Sequence, residues 1–373
     1  MKKNIAYIIF VVLILLSREL RSQTLEMFFS EDKPSIENSS KFSISIDNSN
    51  FFKNNEYFNK FSDGYTLFGY FLKPKIVFNP NDKLKMYAGF HYHKYFGAKD
   101  FGKIEPVFTV EYMPTKNISV IFGELYGTVN HDLTDFVLDN EHYFTQNSEN
   151  GLQFIFNNDR IKSDTWINWK QFIFKNSPFS EILLIGTSNK FNLINKNDKY
   201  FFDIKLAVLG SHVGGQINTN NDPIETMFNV VAGPEYNFNI GNKYLDDIKL
   251  SSLYHAAIDG SPTKKLAYTS GYGVLSSILL NNKFLALKIE HWYGNSYFSK
   301  FGNPMFQSIS STHENYLKDK RAFVNAHLFW SYQAFTFFKI GAGFDLFYDL
   351  YMRKIDYSFG FYIKTNFNFK LKK

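Results

Sequence analysis

Three arrangements in this chain bring together residue types that could do chemistry. Gly186-Thr187-Ser188-Asn189, followed by His212, supplies a hydroxyl, an amide and an imidazole. A lipid hydrolase needs such a Ser–His pair supported by Asn or a carboxylate. His91-x-His93 offers two imidazoles on one face of an extended segment, the start of a metal site if a third ligand stands in register. Gly97–Lys103 reads Gly-Ala-Lys-Asp-Phe-Gly-Lys, which matches the opening of a phosphate-binding loop. There is no Gly-x-Ser-x-Gly elbow and no His-Glu-x-x-His pair.

The elements that must position these residues are strands. In Leu84–Tyr92 the residues Leu84, Met86, Ala88, Phe90 and Tyr92 interleave with Lys85, Tyr87, Gly89 and His91. Successive strand side chains point to opposite faces, so one face is apolar and the other wet. The same alternation runs through Phe338–Tyr348 and Tyr357–Phe369. Such segments, each near ten residues, recur from 41–47 to 356–369 and number about sixteen, with about 14 to 18 allowed. The linkers carry independent information. Asn79–Lys83, Pro114–Asn117, Asn158–Ser163, Asn281–Lys283 and Ser331–Gln333 are short, whereas Gly127–Asn150, Ser211–Ile224, Ala257–Ser270 and Gly294–Arg321 are long. Short turns at one end and long loops at the other describe an all-β, transmembrane, antiparallel up-and-down β-barrel with both termini on the turn side.

That architecture judges the motifs. Ile104 stands where the phosphate loop needs Ser or Thr, and a strand follows where a helix is required. The two histidines have no third ligand in register and read as polar lining. Ser188 falls about four residues before its turn and His212 about thirteen beyond it, an offset of roughly 30 Å at ~3.3 Å per residue. The expectation is therefore no enzyme, no metal and no cofactor.

Lys2, Lys3 and the apolar run Ile5–Leu16 form an export signal, too short to span a bilayer, with cleavage after Ser22. The expected organisation is a signal peptide at 1–22, a polar segment at 23–40 and the barrel at 41–373. Cysteine is absent, which excludes a lipid-anchored N-terminus, disulfides and thiolate metal sites. Cleavage removes four cations and one anion and lowers the formal charge from +6 to +3, too small an excess for a nucleic-acid footprint. Aromatic residues make up 19% of the chain, which suits a lipid face and interfacial belts.

With these features the chain resembles the outer-membrane β-barrel proteins of Gram-negative bacteria, loosely the porin-like barrels. The aromatic strand Tyr357–Phe369 looks like the strand that the outer-membrane assembly machinery recognises, although Leu371-Lys372-Lys373 follow it. Gln23 at the mature start is similar to exported proteins of the Bacteroidetes lineage. The resemblance implies an outer-membrane location, membrane lipids as surroundings and periplasmic termini.

The wet face supplies the candidate lining of a pore. Lys85, His91 and His93 lie on one strand, with Glu105 and Glu111 on the next. Further along come Lys170, Asp203, Lys205, Glu235, Lys288 and Glu290, then His327, Lys339, Asp345 and Lys364. Rings of mixed charge are what a channel uses for selectivity, and a lumen of about sixteen strands leaves an aqueous path unless plugged. The functional expectation is passive diffusion of small polar solutes. Two alternatives stand beside it. One is a non-conducting barrel that docks partner proteins, or its own copies, through aromatic outer loops. The other is an outer-membrane lipid hydrolase.

Overall fold

The computed structural model describes residues 24–30, 42–146, 148–196, 198–215, 217–218 and 222–370. The signal expected at 1–22 and residues 31–41 lie outside the described residues. Sixteen strands close into one antiparallel barrel, each paired with its sequence neighbours and β1 with β16. They are β1 (Phe42–Glu56), β2 (Thr66–Asn81), β3 (Leu84–Tyr95), β4 (Lys103–Thr115), β5 (Ile118–Glu124) and β6 (Asn150–Asn157). Then follow β7 (Ile161–Gln171), β8 (Ile182–Lys196), β9 (Tyr200–Val213), β10 (Glu225–Asn239) and β11 (Asp247–Asp259). The wall ends with β12 (Ser270–Asn281), β13 (Leu285–Asn295), β14 (Lys320–Phe335), β15 (Phe338–Asp349) and β16 (Lys354–Lys370).

The pleat explains the faces. On β4, Ile104, Phe108 and Tyr112 are exposed, while Val107, Thr109 and Glu111 are buried. A closed wall of this kind pairs its strand backbones internally and turns its apolar side to lipid.

The interior differs from the wet lumen expected from the sequence. Two of the long linkers fold inward instead of extending outward. Phe136 of the first packs on Trp292 of β13 at 4.2 Å, and Phe306 of the second on Phe323 of β14 at 5.2 Å. The linkers also hold each other: Asp139 N–H donates to Phe301 O at 2.8 Å, and Tyr297 OH donates to Phe136 O at 3.0 Å. A short helix, α1 (Leu25–Phe29), enters from the other end of the chain. Its Phe28 and Phe29 rings meet Phe329, Tyr362 and Phe144. Three apolar clusters built around these inward segments thus occupy the interior. The cause is solvent avoidance: each fully buried Phe is worth about 1.5–3 kcal/mol over an exposed one. Inward aromatics such as Trp166, Trp292 and Phe347 give the loops an apolar surface to meet.

Candidate active site

The wall is uneven. β5 has 7 residues and β6 has 8, against 13 in β4 and 15 in β8. Gly123 on β5 lies opposite Gly151 on β6 where the two short strands end. Gly123 has φ +114°, and a Cβ there would lie 1.9 Å from Phe108 O, so only glycine lets the chain leave the wall at this point. Beyond it the backbone runs inward as the linker that returns at Ser148 and Glu149.

Ser148 lands among charged and aromatic side chains of β2, β3, β4 and β5. Its Oγ lies 2.7 Å from His91 Nδ1 and 2.8 Å from Glu124 Oε1, so its single proton has two acceptors within reach. Its backbone N–H donates to the Glu105 carboxylate, and Glu105 faces His91 across the β3–β4 register. Glu124 is held as a carboxylate by Lys73 Nζ at 2.8 Å, with Tyr87 OH donating to its other oxygen at 3.4 Å. The His91 ring stands edge-on to Phe71, centroids 5.2 Å apart. His91 Nε2 is buried without a hydrogen-bond partner among the described residues. With the hydroxyl proton directed to Glu124, Nδ1–H donates to Oγ; in the tautomer protonated at Nε2, Nδ1 is free to accept the serine proton when the hydroxyl turns from Glu124 to the ring. Nucleophile and base within hydrogen-bond reach, beside a fixed carboxylate, are what acyl transfer requires.

Glu149 fastens this serine to the barrel. Its carboxylate receives Thr128 Oγ1 at 2.8 Å and His131 Nε2 at 3.2 Å, while His131 Nδ1 meets Asp164 Oδ2 at 2.8 Å. The imidazole stacks on Trp166 at 3.6 Å. Burial opposes a charge on His131, but the two carboxylates outweigh it and push its pKa up to about 9. Burial likewise opposes ionised Glu149, yet the His131 cation and the Thr128 hydrogen bonds bring it down to about 2. His131 therefore serves as a buried cation, with both nitrogens occupied.

The other histidine and serine sites lack a nucleophile–base contact with serine. His327 is clamped by Asp345 at 2.9 Å and Glu290 at 3.2 Å, and Ser358 reaches the far oxygen of Asp345. The carboxylate thus separates hydroxyl from imidazole. A cavity of about 360 Å³ near the β6–β7 turn is lined by His131, Asp164, Ser188 and Lys190 among others, but the Ser188 hydroxyl donates to Asp132 O at 3.4 Å. His212 pairs in register with Leu183, five residues from Ser188 along β8, and bonds Thr226. That separation is about 17 Å rather than roughly 30 Å, because β8 runs on to Lys196 before it turns into β9. The pair still does not meet.

The residues proposed as pore lining alternate onto the inward side, where most have partners. Lys85 lies 3.9 Å from Glu111, and Glu111 also receives Tyr126 OH. Lys205 reaches Asp132 of the inward linker at 3.0 Å, Glu235 is held by Lys190 at 2.6 Å, and Asp203 accepts from Asn192. Lys288 and Glu290 pair at 2.7 Å. Lys364 donates to the carbonyls of Phe29 and Ser30, Lys339 stands opposite Lys364 in the register, and Lys170 reaches Gln146. His93 packs on Phe71 and Tyr95 beside His91. Among the described residues no group of three or more His, Asp or Glu is placed to hold a metal ion.

Of the site, sequence reasoning had picked out His91 and Glu105, as lining. It missed Ser148, Glu124 and Lys73. The available signal was the Gly123–Gly151 bracket around a linker whose end carries Ser-Glu.

Comparison with known proteins supplies the remaining constraints. The model of a family described as lipid A 3'-O-deacylase-type matches residues 32–373. No curated protein matches the chain. Among solved structures, a loop-deletion mutant of OmpT, an outer-membrane protein of Vibrio cholerae, superposes with TM-score 0.53 at 11% identity, covering 88% of this chain and 100% of that one. OprB of Pseudomonas putida gives 0.51 at 9%, covering 88% and 94%. OprD of Pseudomonas aeruginosa, an outer-membrane protein, gives 0.50 at 9%, covering 95% and 99%. At such identities these likenesses establish the fold alone. The family match overturns the expectation that the protein is not an enzyme. That expectation rested on one Ser–His pair that does not meet, and it overlooked a serine delivered by a loop.

Proposed function

The chain belongs to the lipid A 3'-O-deacylase-type family, and from that premise we propose that it hydrolyses an ester-linked acyl chain of lipid A. The observation that carries the reading is the Ser148 hydroxyl held between His91 Nδ1 and Glu124 Oε1. The Ser148 hydroxyl turns its proton from Glu124 to the unprotonated Nδ1 of His91, and Oγ attacks the acyl carbonyl as His91 takes that proton. The bond from the acyl carbon to the sugar oxygen then breaks, and His91 returns the proton to that oxygen. Water, deprotonated by His91, cleaves the acyl-serine and restores the hydroxyl. Lys73 keeps Glu124 ionised beside the imidazolium that forms. We place the short turns in the periplasm and the loop end, with Ser148, toward the outer leaflet where lipid A resides.

Passive diffusion of polar solutes has less support, because α1 and the two inward linkers occupy the lumen with apolar side chains. The test is release of fatty acid from purified lipid A in detergent. Ser148→Ala and His91→Gln should each reduce the rate on the order of a thousandfold or more. Full activity in Ser148→Ala would remove Ser148 from the mechanism, and size-limited sugar uptake by liposomes would restore the channel.

A further inference from the structure

Resting on the hydrolase reading, we propose that the substrate enters sideways, through a notch in the barrel wall above β5 and β6. The occupant is an anionic, multiply acylated lipid of the surrounding leaflet, with one acyl chain passing through the notch.

The strand registers define the notch. β5 pairs with β4 only from Thr109 onward, so Lys103–Phe108 is bonded to β3 alone. On the other side, β6 pairs with β7 only up to Asn168, and Trp169 and Gln171 continue against β8. Six residues of β4 therefore lack a strand partner on the side away from β3, roughly 20 Å along the strand at ~3.3 Å each. With two strands missing, the axes of β4 and β7 stand roughly 14 Å apart at ~4.8 Å per strand spacing, wide enough for a hydrocarbon chain. The Gly123–Gly151 pair forms the sill, and Gly151 is as tightly constrained as Gly123, since a Cβ there would lie 1.9 Å from Ile167 O. Both corners of the sill thus admit only glycine, and the early exit of the chain is built into the sequence.

The back of the notch is the segment that carries the serine. Gln146 is bound by Lys170 on the β7 side, and Ser148 by Glu105 and His91 on the β4 side. A chain end entering from the lipid therefore meets Ser148 without passing the plugged lumen.

The frame matches the proposed occupant at both levels. Ile104, Phe108, Phe122, Leu152 and Trp169 surround the opening with exposed apolar surface. At its loop end stand the exposed cations Lys99, Lys103 and Lys175, while Asp100 between them is drawn to Lys94. Apolar walls below and cations above suit an acylated lipid whose headgroup carries phosphate.

The chain lacks cysteine, which permits blocking the notch after folding. Phe108→Cys would be folded in detergent, coupled to pyrene maleimide and reconstituted into vesicles containing lipid A. Leu328→Cys, on the lipid face of β14, receives the same label as control. Lipid A deacylation is measured beside hydrolysis of soluble p-nitrophenyl butyrate. The label at 108 should lower lipid A turnover by at least about tenfold while leaving the soluble ester within about twofold, and the label at 328 should alter neither. Unchanged lipid A turnover at 108, or equal loss on both substrates, would overturn lateral entry while leaving the hydrolase intact. Absence of both activities in the unlabelled wild type would overturn the hydrolase reading and this inference with it.

Discussion

Raising the pH across the titration of His131 should release the linker that carries Ser148. The imidazole lies 2.8 Å from Asp164 and 3.2 Å from Glu149, with no exposed surface. Its rise from 6.5 to about 9 corresponds to about 3 kcal/mol at ~1.36 kcal/mol per pH unit. Because the folded value lies above the unfolded one, this contribution is complete below about pH 6.5 and is lost as pH climbs through about 9. Glu149 directly follows Ser148, so loss of the cation frees the carboxylate that anchors the serine. The deacylation rate should therefore show a descending limb near pH 9. Asp164→Asn removes one of the two carboxylates that outweigh the burial penalty on His131, and because that penalty remains the limb should move to lower pH by more than half of the original rise. The assay pairs kcat against pH in detergent with NMR titration of His131, using His131→Gln to assign the resonance. A His131 titration at or below 6.5, or an unmoved limb in Asp164→Asn, would refute the reasoning.

Other consequences can be measured with the same preparations. Glu124→Gln keeps the shape but removes the charge that balances Lys73, so kcat should fall by roughly 10²-fold or more with KM little changed. Phe306→Ala empties a site among Phe136, Phe323 and Phe347; it should cost about 3–5 kcal/mol in urea titrations and raise the conductance of planar bilayers above a near-silent wild type. Phe344→Arg, on the lipid face of β15, should cost roughly 2–4 kcal/mol if near the midplane, whereas Lys339→Glu on the inward side should cost little. Equal losses in those two variants would contradict the face assignment.

The barrel was legible because its signal is repeated. Each strand independently states which side is wet, and Lys85, Glu111 and Asp345 obey the same period of two as Phe90, Phe108 and Phe344. An error in one segment is outvoted by its neighbours, since a slip of one residue would turn a whole apolar face inward. The interior was not legible for the opposite reason. Phe136, Phe144, Tyr297 and Phe306 sit in linkers without period, and an aromatic loop reads equally as an outer docking surface or as a plug. Only the closed wall, with Trp292 and Phe323 facing in, decides between them.

The candidate active site falls between these cases. His91 and Glu105 were placed on the correct face by alternation, so the strand half of the site followed from the fold. Ser148 is separated from His91 by 57 positions and reaches it only because the chain abandons the wall at Gly123 and rejoins it at Gly151. No spacing rule spans such a linker. What the structure adds is the anomaly: β5 and β6 are too short for their neighbours, and Gly123 and Gly151 pair one residue before the two strands stop. A barrel strand gains little by stopping early, because it forfeits backbone pairing inside the hydrocarbon layer. Two adjacent strands that do so, next to the one serine–histidine contact among the described residues, mark where the wall has been opened for chemistry.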